Sequence, residues 1–96
     1  MEIIKTKNES ELTVALKGRL DTTTAPQLEA ELQLEDVTAL KFDFTELEYV
    51  SSAGLRILLA AQKVMNKQGE MKIKNVNSDI MEVFEITGFS DILTIE

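Results

Sequence analysis

The sequence predicts an α/β fold: one small domain over residues 1–96, with a mixed, mostly parallel sheet of four to five strands and about three helices. Three observations carry this expectation. Apolar residues alternate with a period of two in some segments and recur at helical spacing in others. The segments follow one another in the order β-β-α-β-α-β-α-(β), and strands separated by helices pair in parallel. The length of 96 residues suits one hydrophobic core, and an apolar fraction of 44% is enough to fill it.

Residues 2–7 and 11–17 read as strands, because Leu12, Val14 and Leu16 alternate with Thr13, Ala15 and Lys17. Asn8-Glu9-Ser10 reads as the turn between them. Gly18–Thr23 reads as a polar loop. A helix starts near Thr24, where Thr24 and Gln27 have the spacing of a capping box and Pro26 is tolerated in the first turn. Ala25, Leu28 and Leu32 form its apolar face. Residues 38–44 are the next strand, with Leu40, Phe42 and Phe44 alternating with Lys41 and Asp43. The second helix runs from about Ser52 to Gln68 and stops at Gly69. Met71–Val76 is a strand. Asn77 or Ser78 caps a third helix that turns Ile80, Val83 and Phe84 inward, and Gly88 sits where a left-handed residue ends it, placing Phe89 to pack back on Phe84. Ile92–Ile95 reads as a short final strand.

Composition excludes several kinds of function. A net charge of -7, from 17 acidic and 10 basic residues, opposes a nucleic-acid partner. Without cysteine or histidine there is no disulfide, no thiolate nucleophile, and neither the commonest general base nor the commonest metal ligand. Asp43 and Glu46 are too few to hold a metal, and no phosphate-loop or nucleophile-elbow motif is present. The expectation is therefore a protein that is not an enzyme, with no catalytic residue, metal or cofactor. No signal-peptide pattern and no apolar run of about 18 residues occurs, so no membrane partner and a cytoplasmic location are expected.

The informative stretch is Asp43-Phe44-Thr45 followed by Tyr49-Val50-Ser51-Ser52-Ala53-Gly54-Leu55. Two adjacent hydroxyls stand where a helix begins, and free N–H groups with the positive end of the helix dipole accept an oxygen or an anion there. A phosphate on either serine is locally tolerated, although local physics by itself favours plain helix capping. Gly54, Ile57, Leu58, Ala61 and Met65 share the face expected in the core. Leu55 and Leu59 lie beside it: Leu59 reads as part of a wide buried stripe, and Leu55 is open between the core and an exposed partner contact. Asp21 and Thr22 lie in a loop after a strand. If strands 11–17 and 38–44 are parallel, that loop and the serine turn emerge at one sheet edge. A loop turn or helix cap is the plainer role for Asp21.

These residues resemble the signature of the STAS domain, and more narrowly the stand-alone anti-anti-sigma factors, or anti-sigma factor antagonists. Gly18-Arg19-Leu20-Asp21, the helix Thr24–Leu34 and the element order through Gly88-Phe89 also fit, so the resemblance spans essentially the whole chain. It implies a STAS-like fold and a protein partner, a serine-kinase anti-sigma factor, bound so as to free a sigma factor. It further implies that the partner phosphorylates Ser52 to end binding and that a phosphatase restores the chain. In the family an aspartate usually precedes this serine, where Ser51 stands here, and a further serine often replaces Ala53. The family's partner-contacting loop aspartate falls on Asp21. The partner-binding set is then Asp21, Thr22, Ser51, Ser52, Gly54 and Leu55. The alternative is a STAS-type binding subunit of a transport or lipid-trafficking complex, without a phosphorylation cycle.

Overall fold

The computed structural model describes residues 1–96. Its elements are β1 (Glu2–Asn8), β2 (Glu11–Leu20), α1 (Ala25–Glu31), β3 (Ala39–Val50), α2 (Ser52–Gln68), β4 (Glu70–Lys74), α3 (Ser78–Thr87) and a 3-10 turn, Phe89–Asp91. The sheet order is β1-β2-β3-β4, with β1 antiparallel to β2 and the other pairs parallel. The expected mixed sheet with three helices is present. The expected final strand shrinks to one bridge, in which Ile73 N–H donates to Thr94 O at 2.9 Å and Glu96 N–H donates to Ile73 O at 2.9 Å.

Register explains where the core sits. Leu12 pairs with Leu40 and Leu40 with Met71; Val14 pairs with Phe42 and Phe42 with Ile73. Side chains at paired positions share one sheet face, and all of these are buried. Leu28 of α1, Leu58 and Met65 of α2 and Phe84 of α3 join the same 21-residue apolar cluster. The opposite face carries Thr13, Lys41 and Lys72 and stays half-buried. The helices and the core therefore lie on one side of the sheet.

Three boundaries differ most from the sequence reading, and β4 also stops at Lys74 rather than Val76. β2 continues through Gly18 to Leu20, because Gly18 adopts φ +98, the left-handed region that glycine enters without strain, at a register irregularity. β3 continues to Val50 for the same reason: between Ala15 and Arg19 the register slips twice, so the buried positions after Phe44 become Leu47 and Val50. α1 is shorter than expected, and its capping box does not form. Thr24 is already helical and its side chain caps nothing; its hydroxyl instead donates to Arg19 O at 2.7 Å and accepts from Asp21 N–H at 2.8 Å. Gln27 reaches Met1 O at 3.3 Å.

The later elements match more closely. α2 has the expected limits, although Gly69 ends it for a different reason than a left-handed cap. Its backbone is extended, and a Cβ there would strike the Thr38 carbonyl. Asn77 is the cap of α3, with Oδ1 accepting from Ile80 N–H at 2.8 Å, and Gly88 closes it at φ 80. Phe89 is half-buried against the core. One polar side chain, Gln62, enters the buried face of α2; its Nε2 donates to Asn66 Oδ1 at 2.8 Å, and its Oε1 has no partner.

Candidate functional site

The parallel pairing of β2 and β3 builds the site. Leu20 pairs with Val50 at the ends of the two strands, and Ser51 N–H donates to Leu20 O at 2.8 Å. The next residues on either side of that bond are Asp21 and Ser52. The two loops thus leave the same sheet edge and are fastened to each other, as parallel strands require.

The two serines have different environments. Ser51 is the N-cap of α2: its backbone is extended, its side chain is half-buried, and its Oγ accepts from Gly54 N–H at 3.4 Å. Its carbonyl accepts the first helical bond, from Leu55 N–H at 2.9 Å. Ser52 is the first helical residue. It is exposed, and its hydroxyl makes no hydrogen bond within the chain. No acidic side chain lies in that first turn to oppose an anion.

Asp21 is held rigidly. Its Oδ1 accepts from Thr23 N–H at 3.0 Å, Thr23 Oγ1 at 2.7 Å and Thr24 N–H at 3.1 Å. The bond from the Thr23 hydroxyl is the main reason its carboxyl is held below the ordinary carboxylate value; partial desolvation opposes this, and the backbone bonds from Thr24 and Thr23 add to it. The plain cap role is thus filled, and it leaves Oδ2 facing Arg19 Nε at 3.9 Å. The Arg19 guanidinium lies 4.4 Å from the centre of the Tyr49 ring. Arg19 and Tyr49 form part of this rim and were not singled out from the sequence; their adjacency depends on the register that pairs them.

Leu55 and Gly54 do not belong to the exposed surface. Leu55 is only 5% exposed and sits in the core cluster, so the expected exposed leucine contact is corrected. The buried face of α2 spans Gly54, Leu55, Leu58, Ala61, Gln62 and Met65, wide enough to take in the first turn. Gly54 is buried against β2: a Cβ there would lie 2.6 Å from Leu20 Cγ. Its part is to let α2 approach the end of β2. Thr22 is exposed and, with Pro26 and Glu29 of α1 and Ala53, Arg56 and Ile57 of α2, lines a shallow hollow of about 190 Å³ beside the serine turn. A larger polar hollow of about 680 Å³, around Lys5, Lys7, Glu35 and Asp36, lies at the far end of β2, away from these loops. Asp43 and Glu46 do not converge: Asp43 Oδ1 accepts from Thr45 and Asn75, and Glu46 pairs with Lys17 at 3.1 Å.

A helix-start serine pair locked to an aspartate loop across a parallel strand pair, on this sheet order, belongs to a recognisable class. The model of the family described as "Mlab, STAS domain" matches residues 4–94, and the chain belongs to the STAS domain family. Within it, the chain is related to anti-sigma factor antagonists. The anti-sigma-B factor antagonist of Listeria monocytogenes is 31% identical over 97% of this chain and 85% of its own length. BtrV of Bordetella bronchiseptica is 35% identical over 99% of this chain and 85% of its own length. Among solved structures, an anti-sigma factor antagonist from Mycobacterium paratuberculosis shares the fold with TM-score 0.86 at 22% identity, covering 98% of this chain and 83% of its own. SpoIIAA in its unphosphorylated form does so with TM-score 0.78 at 18% identity, covering 99% of this chain and 87% of its own.

Proposed function

We propose that this chain is an anti-sigma factor antagonist that binds a serine-kinase anti-sigma factor through the rim of Asp21, Thr22, Ser51 and Ser52, and that phosphorylation of Ser52 ends the binding. The single observation that carries the choice of residue is the contrast between the serines. Ser51 is committed to capping α2, whereas Ser52 offers a free, exposed hydroxyl one residue further on. SpoIIAA, which shares the fold, has been solved in a phosphorylated form, and the relatives' names supply the class of partner.

The physics is sufficient. A phosphoserine carries roughly -1.5 to -2 charges at neutral pH. The free N–H groups at the start of α2 accommodate that charge in the isolated chain, so the fold persists. Inside a packed interface the same charge is desolvated, and each ~1.4 kcal/mol lost weakens binding tenfold. Unmodified chain docks on the anti-sigma factor and releases sigma; modified chain dissociates until a phosphatase restores it. The reading places the cycle in the cytoplasm, and no helix of the chain is long and apolar enough to cross a membrane.

The test is incubation with a cognate serine-kinase anti-sigma factor and ATP, with the phosphate mapped by mass spectrometry. Phosphate on Ser52 is expected, together with weaker binding of Ser52→Asp and persistent binding of Ser52→Ala at unchanged melting temperature. Phosphate on Ser51 alone refutes the assignment. A folded chain that takes up no phosphate from a partner it binds speaks for the transport or lipid-trafficking alternative.

A further inference from the structure

We propose that the solvent face of α2 and the apolar furrow between α1 and α2 form a docking surface for an acidic amphipathic helix of the anti-sigma partner. The inference rests on the function proposed above and names the chemistry of that partner. Two independent features support it.

The first is charge. The chain carries -7 overall, yet the only charged side chains among the 17 residues of α2 are Arg56, Lys63 and Lys67. All three are exposed, and none takes part in any of the chain's ion pairs. At about 100° per residue they fall within roughly 40° of one another around the helix axis, and Ser52 lies on the same stripe. An acidic chain thus presents one uncompensated cationic ridge, and that ridge begins at the candidate phosphorylation site.

The second is shape. Beside the ridge runs a furrow of about 130 Å³ lined by Leu32, Leu34, Ile57, Ala60, Ala61 and Val64. Val64 is 42% exposed there, among the most exposed large apolar side chains of the chain. Glu29 and Ile57 line both this furrow and the hollow beside the serine turn, so the two are continuous. An amphipathic helix laid in such a groove puts apolar anchors into the furrow and acidic residues against the ridge. The opposite wall carries Glu29, which repels a polyanion lying across both helices and so favours a helix charged on one side over a nucleic acid or an anionic membrane. A phosphate on Ser52 would sit at the head of this ridge and offset much of its positive charge.

The test has two arms on the intact chain. In the first, isotope-labelled chain is titrated with a synthetic amphipathic helical peptide bearing leucines on one face and glutamates on the other, and with the same peptide bearing lysines instead. The glutamate peptide is expected to shift the amide resonances of Ile57, Ala60 and Val64, with affinity falling as salt rises, while the lysine peptide is not. Equal shifts from both peptides, or none, overturn the proposal. In the second arm, Lys63→Glu is expected to weaken binding to the kinase anti-sigma factor roughly tenfold, while Lys7→Glu, an equal charge reversal on β1, changes it by less than about twofold. A kinase that phosphorylates Ser52 but binds Lys63→Glu as tightly as wild type overturns the docking surface and leaves the Ser52 switch standing. Shifts confined to α2, with no phosphate ever reaching Ser52, support the surface and remove the switch. Concentration-dependent self-association abolished by Glu82→Lys in α3 overturns the proposal in favour of a second copy as the occupant.

Discussion

Replacing Gly54 by alanine should destabilise the chain, even though alanine is the better helix former. The added methyl would lie 2.6 Å from Leu20 Cγ, 2.9 Å from Leu20 Cδ2 and 3.2 Å from Leu20 O. Leu20 cannot swing away, because its side chain is fully buried and its carbonyl is fastened to Ser51 N–H at 2.8 Å. Overpacking of this kind costs about 1–3 kcal/mol. Exchanging glycine for alanine in a helix interior returns at most about 1 kcal/mol, and less in a first turn. The net loss is about 1–2 kcal/mol, which at about 4–8 °C per kcal/mol lowers the melting temperature by roughly 4–16 °C. Thermal denaturation followed by circular dichroism measures it directly. Because relief of the clash pushes the start of α2 off the end of β2, partner binding should fall along with stability. A Gly54→Ala chain that melts at or above the wild-type temperature would falsify the account of α2 seated on Leu20.

Gln62→Met should stabilise the chain by about 1 kcal/mol, since it removes a buried carbonyl oxygen with no partner while preserving length, and exposed Asn66, which loses the bond from Nε2, can turn to water; a lower midpoint in urea would show that the unpartnered oxygen costs less than the lost bond. The Asp43 carboxyl is held below the ordinary carboxylate value, first by the side-chain bond from Asn75 and then by the bonds from Thr45, so its charged form stabilises the folded chain. That contribution is present above the unfolded carboxylate value and is lost as pH falls through the lowered folded one. Asp43→Asn should therefore be less stable than wild type at pH ~7, with the gap closing below about pH 4. A gap of constant size from neutral to acid pH contradicts this.

Much of the fold was legible in the sequence because its signals are local. The limits of α2 follow from an apolar stripe bounded by Ser51 and Gly69, and those of α3 from Asn77 and Gly88. The upper halves of β2 and β3 were not legible. There, register slips between Ala15 and Arg19 change the spacing of buried residues from Phe42 and Phe44 to Leu47 and Val50, and no period of two survives. Thr24 and Gln27 have capping-box spacing, but Asp21 takes the N–H of Thr24 first. At the site, the meeting of Asp21 with the serine turn was readable from strand order. The burial of Leu55 was not, because it depends on how wide a face α2 presses against the sheet. The stacking of Arg19 on Tyr49 depends on the same slipped register.

The strand order has a consequence for how the molecule is made. Every strand pairs with its neighbour in sequence, β1 with β2, β2 with β3 and β3 with β4. A nascent chain leaving the ribosome can therefore extend the sheet at one growing edge, and no strand must be threaded between two that are already joined. The bond between Leu20 and Ser51 becomes available as soon as β3 is laid down, before β4 and α3 have been synthesised. The rim proposed to engage a partner is framed early, and the C-terminal third of the chain arrives to seal a core whose edge is already in register.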